Sequence, residues 1–293
     1  MKRVLLFGLV IILALGAFAL VGCGSDDTVD DGAANVGGNE EVAEGTDRFA
    51  EIEKDDGDLP AEVEEIRERG VLRVGVKSDV PGFGLLNPET NEYEGLEIDM
   101  AHALAKRIIG DASKVEFTPV TADTRGTLLD NGQIDMVIAT FTIKPDRLEQ
   151  WNFSDPYYRD AVGLLVNADS GIAGLGDLDG KKIGVALSAT SREAVEEAGE
   201  AEGWSFGFVE MASYPEISTA LASGAVDAFS VDKSILRGYL NADRVLLDDE
   251  FSPQDYGVAT KLSNTDLAEY VNNFIKKLQT DGFMDTWIAE HGI

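Results

Sequence analysis

The chain has 293 residues and a formal net charge of -30, with 24 Lys and Arg against 54 Asp and Glu. A balance this acidic argues against nucleic acid as a partner, since phosphate binding needs a basic surface. A single cysteine excludes an intramolecular disulfide, and the two histidines, His102 and His291, stand apart and form no zinc pattern.

Met1-Lys2-Arg3 is basic, Val4 to Ala19 is apolar, and Leu20-Val21-Gly22-Cys23 follows. This is the order of a secretory signal, expected over 1–22. Its end resembles the bacterial lipobox, which implies cleavage before Cys23 and lipid on the Cys23 thiol. An uncleaved transmembrane anchor is the alternative, with an apolar run near the lower length limit for a span. Both readings export the remainder. Residues 23–58 are rich in Gly, Asp, Glu, Asn and Ala, which predicts an acidic flexible tether. The pairs Asp26-Asp27 and Asp30-Asp31 lack the spacing of a calcium loop.

From about residue 60 strand and helix alternate. Val71 to Val76 reads as a strand, Ile98 to Ile109 as an amphipathic helix, and Val115 to Val120 as a strand. A short helix from Thr124 to Asn131 stops at Gly132, and a buried strand covers 135–140. A long apolar run spans Ala161 to Val166. The alternation then restarts with strands at Lys181–Val185, Phe206–Met211 and Asp227–Val231, and helices at about Thr190–Gly203 and Pro215–Ala222. Amphipathic helices near 232–240 and 265–290 finish the chain. The pattern is α/β with mainly parallel sheets, long enough for two cores.

The two halves echo each other. Val74-Gly75-Val76 matches Ile183-Gly184-Val185, and Leu129-x-x-Gly132-x-Ile134-Asp135 matches Leu221-x-x-Gly224-x-Val226-Asp227. Thr140 follows Asp135 by the same interval as Asp232 follows Asp227. Two facing lobes of one fold would therefore set Thr140 and Asp232 across one cleft, although an echo this short can also arise by chance.

The end of the strand at 135–140 carries the clearest chemistry. Thr140 and Thr142 supply hydroxyls where an open α/β sheet binds ligands, and Pro145 suits a first helical turn that brings Arg147 close. Two hydroxyls and a guanidinium suit a carboxylate. The plainer alternative pairs Arg147 with Asp146 or Glu149 on a solvated turn. Asp232 offers an anion for a cation. It can also cap the helix that it opens, and both roles are compatible. A carboxylate and an ammonium on adjacent atoms describe an α-amino acid.

Gly-Leu-Glu-Ile-Asp (95–99), Asn-Gly-Gln-Ile-Asp (131–135), Thr-Phe-Thr-Ile-Lys-Pro-Asp-Arg (140–147) and Phe-Ser-Asp-Pro-Tyr-Tyr (153–158) resemble the solute-binding proteins, family 3, of polar amino acid ABC importers. Val-Lys-Ser-Asp-Val-Pro (76–81), Thr-Arg-Gly-Thr-Leu-Leu-Asp-Asn-Gly (124–132), Ser-Val-Asp-Lys-Ser-Ile-Leu (230–236) and Pro-Gln-Asp-Tyr-Gly (253–257) are most similar to aspartate- and glutamate-binding lipoproteins. The resemblance runs from about residue 70 to the C-terminus. It implies a two-lobed periplasmic-binding-protein-like α/β fold of type II, with lobes joined by two crossover strands. Lobe 1 would cover 59–162 and 255–293, and lobe 2 would cover 163–254.

The same resemblance implies ligand roles. Arg147 and Thr142 would hold the α-carboxylate, with Thr190 adding a donor at a helix start. Thr140 and Asp232 would hold the α-amino group. Lys77 and Arg125 would choose the side chain, and Tyr256 would reach the cleft. The alternatives are a helix cap for Thr190, a solvated strand end for Lys77, a helix-start ion pair for Arg125 and a core position for Tyr256. Three cations against Asp232 leave an excess of positive charge that favours aspartate or glutamate and disfavours neutral or basic ligands. The implied protein is a monomer without catalytic activity or cofactor, held at the extracytoplasmic membrane face by lipid on Cys23. It passes its ligand to an ABC permease and ATPase. The rival readings are a sensor or adhesin with the same lobes, and a dehydratase acting on cyclohexadienyl acids, which shares the fold.

Overall fold

The structure, a computed structural model, describes residues 48–293. The expected signal segment, Cys23 and the tether up to residue 47 lie outside the described residues. The remaining stretch, 48–58, packs against the body instead of standing free of it. Ile52 is buried, the Phe49 ring lies tilted against His102 and edge-on to Trp287, Arg48 pairs with Asp99 at 2.7 Å and Asp55 pairs with Arg107 at 2.9 Å. Two large apolar side chains suffice to dock a short segment on an existing helix surface. Composition averaged over 23–58 hides them.

A helix absent from the sequence reading, α1 (Ala61–Arg69), leads into β1 (Leu72–Val76). Three short strands follow, β2 (Asp79–Val80), β3 (Gly84–Leu86) and β4 (Tyr93–Glu94), then α2 (Leu96–Ile109), β5 (Val115–Pro119), α3 (Arg125–Asp130), β6 (Met136–Ile138), α4 (Pro145–Leu148) and β7 (Trp151–Phe153). The chain continues through β8 (Tyr158–Asn167), β9 (Lys182–Ala186), α5 (Ser191–Glu202), β10 (Gly207–Met211), α6 (Tyr214–Ala222), β11 (Ala228–Asp232), α7 (Lys233–Arg237), β12 (Arg244–Leu246) and β13 (Phe251–Tyr256). It ends with β14 (Ala259–Lys261), α8 (Thr265–Thr280) and α9 (Phe283–His291). The single helix expected over 265–290 is divided at Gly282, whose φ of 82° cannot continue a helix.

Two main sheets result, one per lobe, beside a small sheet of β2, β3 and β4. The first runs β5-β1-β6-β14-β7 and the second β10-β9-β11-β8-β12, with β13 also on β8. Each contains a parallel trio, β5-β1-β6 and β10-β9-β11, flanked by antiparallel strands. The sheets are therefore mixed rather than mainly parallel, because the returning chain enters each one in the opposite sense. The echo between the halves falls on the two trios. The chain passes between lobes twice, into β8 and out of β13, and these strands pair antiparallel with Tyr158 opposite Tyr256. The boundaries expected at 162 and 254 fall inside these two strands. This is the two-lobed type II arrangement, with a cleft where the parallel trios end.

Apolar spacing builds the helices that back the sheets. α2 buries Leu96, Met100, Leu104 and Ile108 on one stripe, and α8 buries Leu267, Val271, Phe274, Ile275 and Leu278. α6 opens with a capping box between Ser213 and Glu216. The start of α2 is set by Gly95, which has φ 128°, and a Cβ there would lie 2.2 Å from the Phe83 carbonyl oxygen. Gly95→Ala should therefore lower unfolding free energy by at least about 2 kcal/mol. Denaturant titration checks this, and an unchanged midpoint would mean that the 83–95 backbone yields without cost.

Candidate functional site

The chain leaving β6 makes the floor of the cleft. Thr140 is buried with φ 43°, a left-handed conformation that a β-branched residue adopts only at a cost of about 1–3 kcal/mol. Its N–H donates to Glu97 Oε1 at 2.5 Å, and the Tyr157 hydroxyl donates to the same oxygen. Arg125, in the first turn of α3, donates from Nη1 to the Ala139 and Thr140 carbonyls at 2.7 and 3.3 Å. The turn is thus held on its N–H side by a carboxylate and on its C=O side by a guanidinium.

Pro145 takes the first position of α4, as its place in the sequence predicts. Arg147 then reaches back to the Thr142 carbonyl at 2.8 Å and across the cleft to the Ser188 carbonyl at 3.4 Å. Its bonds go to backbone oxygens and not to Asp146 or Glu149. The Arg125 and Arg147 guanidinium carbons lie 3.7 and 4.8 Å from the centre of the same Phe141 ring. Lys77, just beyond the end of β1, is 3% exposed, so it is no solvated strand-end lysine. Its Nζ sits 3.3 Å from Asp79 Oδ1 and 4.3 Å from the centre of the Tyr214 ring, which comes from the other lobe.

The second lobe and the crossover strand complete the constellation. Asp232 ends β11 and begins α7 without a side-chain capping bond, and its Oδ2 accepts from the Tyr256 hydroxyl at 2.5 Å. Tyr256 is fully buried, so its core position and its place beside the cleft coincide. Thr190 precedes α5 but does not cap it; its hydroxyl donates to Gln254 Oε1 at 2.8 Å. Thr142 donates to the same oxygen at 2.7 Å. All eight expected positions, Lys77, Arg125, Thr140, Thr142, Arg147, Thr190, Asp232 and Tyr256, are buried. A cavity of about 380 Å³ opens at the edge of the cleft, between Phe141, Arg147, Ser188 and Thr190.

Burial dominates the electrostatics. It lowers the Lys77 and Arg147 pKa values and brings Arg125 down to about 9, with Arg147 as a second cause for Arg125. It raises Asp232 to about 7 against the opposing Tyr256 hydrogen bond, and Glu97 to about 7 against the Tyr157 bond. The sequence reading missed Glu97, Gln254, Asp79, Phe141 and Tyr214. Asp79 and Glu97 change the charge count, because two further acids stand among the three cations. Glu97 and Gln254 lie inside quoted motifs, yet a helix-start Glu and a strand Gln show no partner until the chain is folded.

The chain matches the bacterial extracellular solute-binding proteins, family 3, over residues 72–291. It belongs to that family. It is 36% identical over 289 residues to a glutamine-binding protein of Geobacillus stearothermophilus, covering 95% of this chain and 99% of that one. An ABC transporter glutamine-binding protein of Bacillus subtilis is 37% identical over 233 residues, covering 77% and 84%. A glutamate-binding protein of Corynebacterium efficiens is 30% identical over 241 residues, covering 76% and 79%. An ancestral arginine-binding protein solved with arginine superposes with a TM-score of 0.68 at 35% identity, covering 76% of this chain and 98% of the other. Among the described residues of this family 3 protein, no helix is long and apolar enough to cross a membrane.

The raised carboxylates give the family 3 fold a pH signature. Both Asp232 and Glu97 bind protons more tightly folded than unfolded, so the folded state holds the extra protons from about pH 4 to about pH 7. Stability conferred by the protonated forms is complete at low pH and is lost as pH rises through 7. Thermal midpoints measured without amino acid should fall across this window, and Asp232→Asn should flatten the slope. A slope unaltered by Asp232→Asn would show that Asp232 titrates at its ordinary value.

Proposed function

We propose that the chain is the extracytoplasmic binding component of an ABC importer and captures an acidic amino acid, glutamate or aspartate. The burial of Lys77, Arg125 and Arg147 around one cleft, opposite Asp232, carries this reading. In it, Arg147 grips the α-carboxylate while Thr142 and Thr190 turn their hydroxyls from Gln254 to the same group. Asp232 and Thr140 take the ammonium. Lys77 and the Nε of Arg125, which has no hydrogen-bond partner among the described residues, meet the side-chain carboxylate. Residues from both lobes share one ligand, so binding favours the closed arrangement. A permease reads that arrangement and receives the cargo. Lipid on Cys23 keeps the protein at the membrane.

Glutamine is the second reading. Asp79 lies beside Lys77 and offsets its charge, which suits a carboxamide whose oxygen accepts from Lys77 and whose nitrogen donates to Asp79. The long similarity to a glutamine-binding relative supports it too. Calorimetry with glutamate, aspartate and glutamine separates the two. Arg147→Ala should abolish binding of all three, with a loss of at least about 100-fold. Lys77→Ala should mainly narrow the difference between acid and amide. Undiminished affinity in Arg147→Ala would remove it from the site.

An ammonium pairs with ionised Asp232 only. Binding near pH 6.5 should therefore release roughly half a proton or more, and almost none at pH 8.5. Calorimetry in buffers of different ionisation heat reads this directly. Heats independent of buffer at pH 6.5 would take Asp232 away from the ammonium.

A further inference from the structure

We infer that Glu97 is a positioning residue for the ligand, acting through the backbone of Thr140. This inference rests on the amino acid reading of the cleft, in which Thr140 meets the ammonium.

Four observations support it. Thr140 is left-handed at φ 43°, and a β-branched side chain does not choose that conformation unaided. Its N–H donates to Glu97 Oε1 at 2.5 Å, and Glu97 comes from 43 residues away at the start of α2. Glu97 is fully buried, so its carboxylate has no solvent to turn towards, and the Tyr157 hydroxyl fixes the same oxygen from another side. Finally, the Thr140 hydroxyl is buried and makes no hydrogen bond with the described residues. The Glu97 bond thus sets the direction of a hydroxyl that the described residues do not use. With Thr140 relaxed to an extended conformation, its side chain and carbonyl would swing away, and the Arg125 contact to that carbonyl would go with them.

The alternative is that Glu97 merely satisfies buried donors and supports the core. The two roles differ at one point. Positioning is needed only while residue 140 resists the left-handed conformation. Glycine adopts that conformation without cost, so Thr140→Gly removes the need for Glu97, whereas a core role would persist.

The test measures affinity for L-glutamate and L-glutamine by calorimetry in four proteins: wild type, Glu97→Leu, Thr140→Gly and the double variant. Glu97→Leu should weaken binding about tenfold or more in the wild-type background, and by less than about threefold in the Thr140→Gly background. Glu97→Gln, whose carbonyl still accepts from Thr140, should bind within about threefold of wild type. Equal losses in both backgrounds overturn the inference, as does undiminished affinity in Glu97→Leu. If Glu97→Leu fails to fold but folds with Thr140→Gly, the coupling is shown directly. Failure to fold in both backgrounds assigns Glu97 to the core and refutes positioning. Wild type that binds neither amino acid refutes the ligand reading, and the inference with it, which is distinct from equal losses in a binding protein.

Discussion

Three cations buried between two sheets are the constraint on which the rest of this structure depends. An isolated charge in such a place costs several kcal/mol or loses its proton. Among the described residues, only one of the three cations, Lys77, has an acid at ion-pair distance. Arg125 and Arg147 instead bond to the carbonyls of Ala139, Thr140, Thr142 and Ser188, and both lie against Phe141. Carbonyl dipoles and a ring face keep a guanidinium charged without neutralising it. Its field then remains available to an anion that arrives later. A full set of salt bridges would have used that field up.

The topology supplies those carbonyls. A parallel strand ends abruptly, and carbonyls beyond it face the cleft, while Phe141 and Thr142 also pair with the crossover strand at Gly257 and Tyr256. The 139–142 segment does this after β6, and 188–190 does so after β9 in the other sheet. The crossover strand β13 brings Gln254 and Tyr256 to the join, where Gln254 bonds to Thr142 and Thr190 and Tyr256 to Asp232. Floor, far wall and seam thus come from three separate parts of the chain.

Much of this was legible in the sequence because it is local. The strand at 136–138, Pro145 at a helix start and Arg147 after it follow from spacing over a dozen residues. The two-lobed fold followed from the repeated alternation and the family motifs. What stayed hidden depends on distant pairs: Glu97 with Thr140, Thr142 with Gln254 across 112 residues, and Lys77 against Tyr214. A lone Glu at a helix start reads as a favourable end charge, and nothing local reveals that it is buried. The docked stretch at 48–58 was hidden for another reason, since two apolar residues in an acidic run vanish in an average. The expected excess of positive charge changed once folding brought Asp79 and Glu97 to the cations.

The shared acceptor at Gln254 has a consequence for where affinity can come from. Thr142 and Thr190 each already donate to its amide oxygen. A carboxylate that takes those two donors creates no new hydrogen bonds. It exchanges one acceptor for another, and the gain from an ionised oxygen is set against the cost of about 1–3 kcal/mol of leaving the buried Gln254 oxygen without those donors. On the proposed reading the hydroxyls would thus give direction and little net energy, and the strength of binding would rest with the charged groups. Removing the Gln254 acceptor would free both hydroxyls and raise what they can contribute to binding a carboxylate.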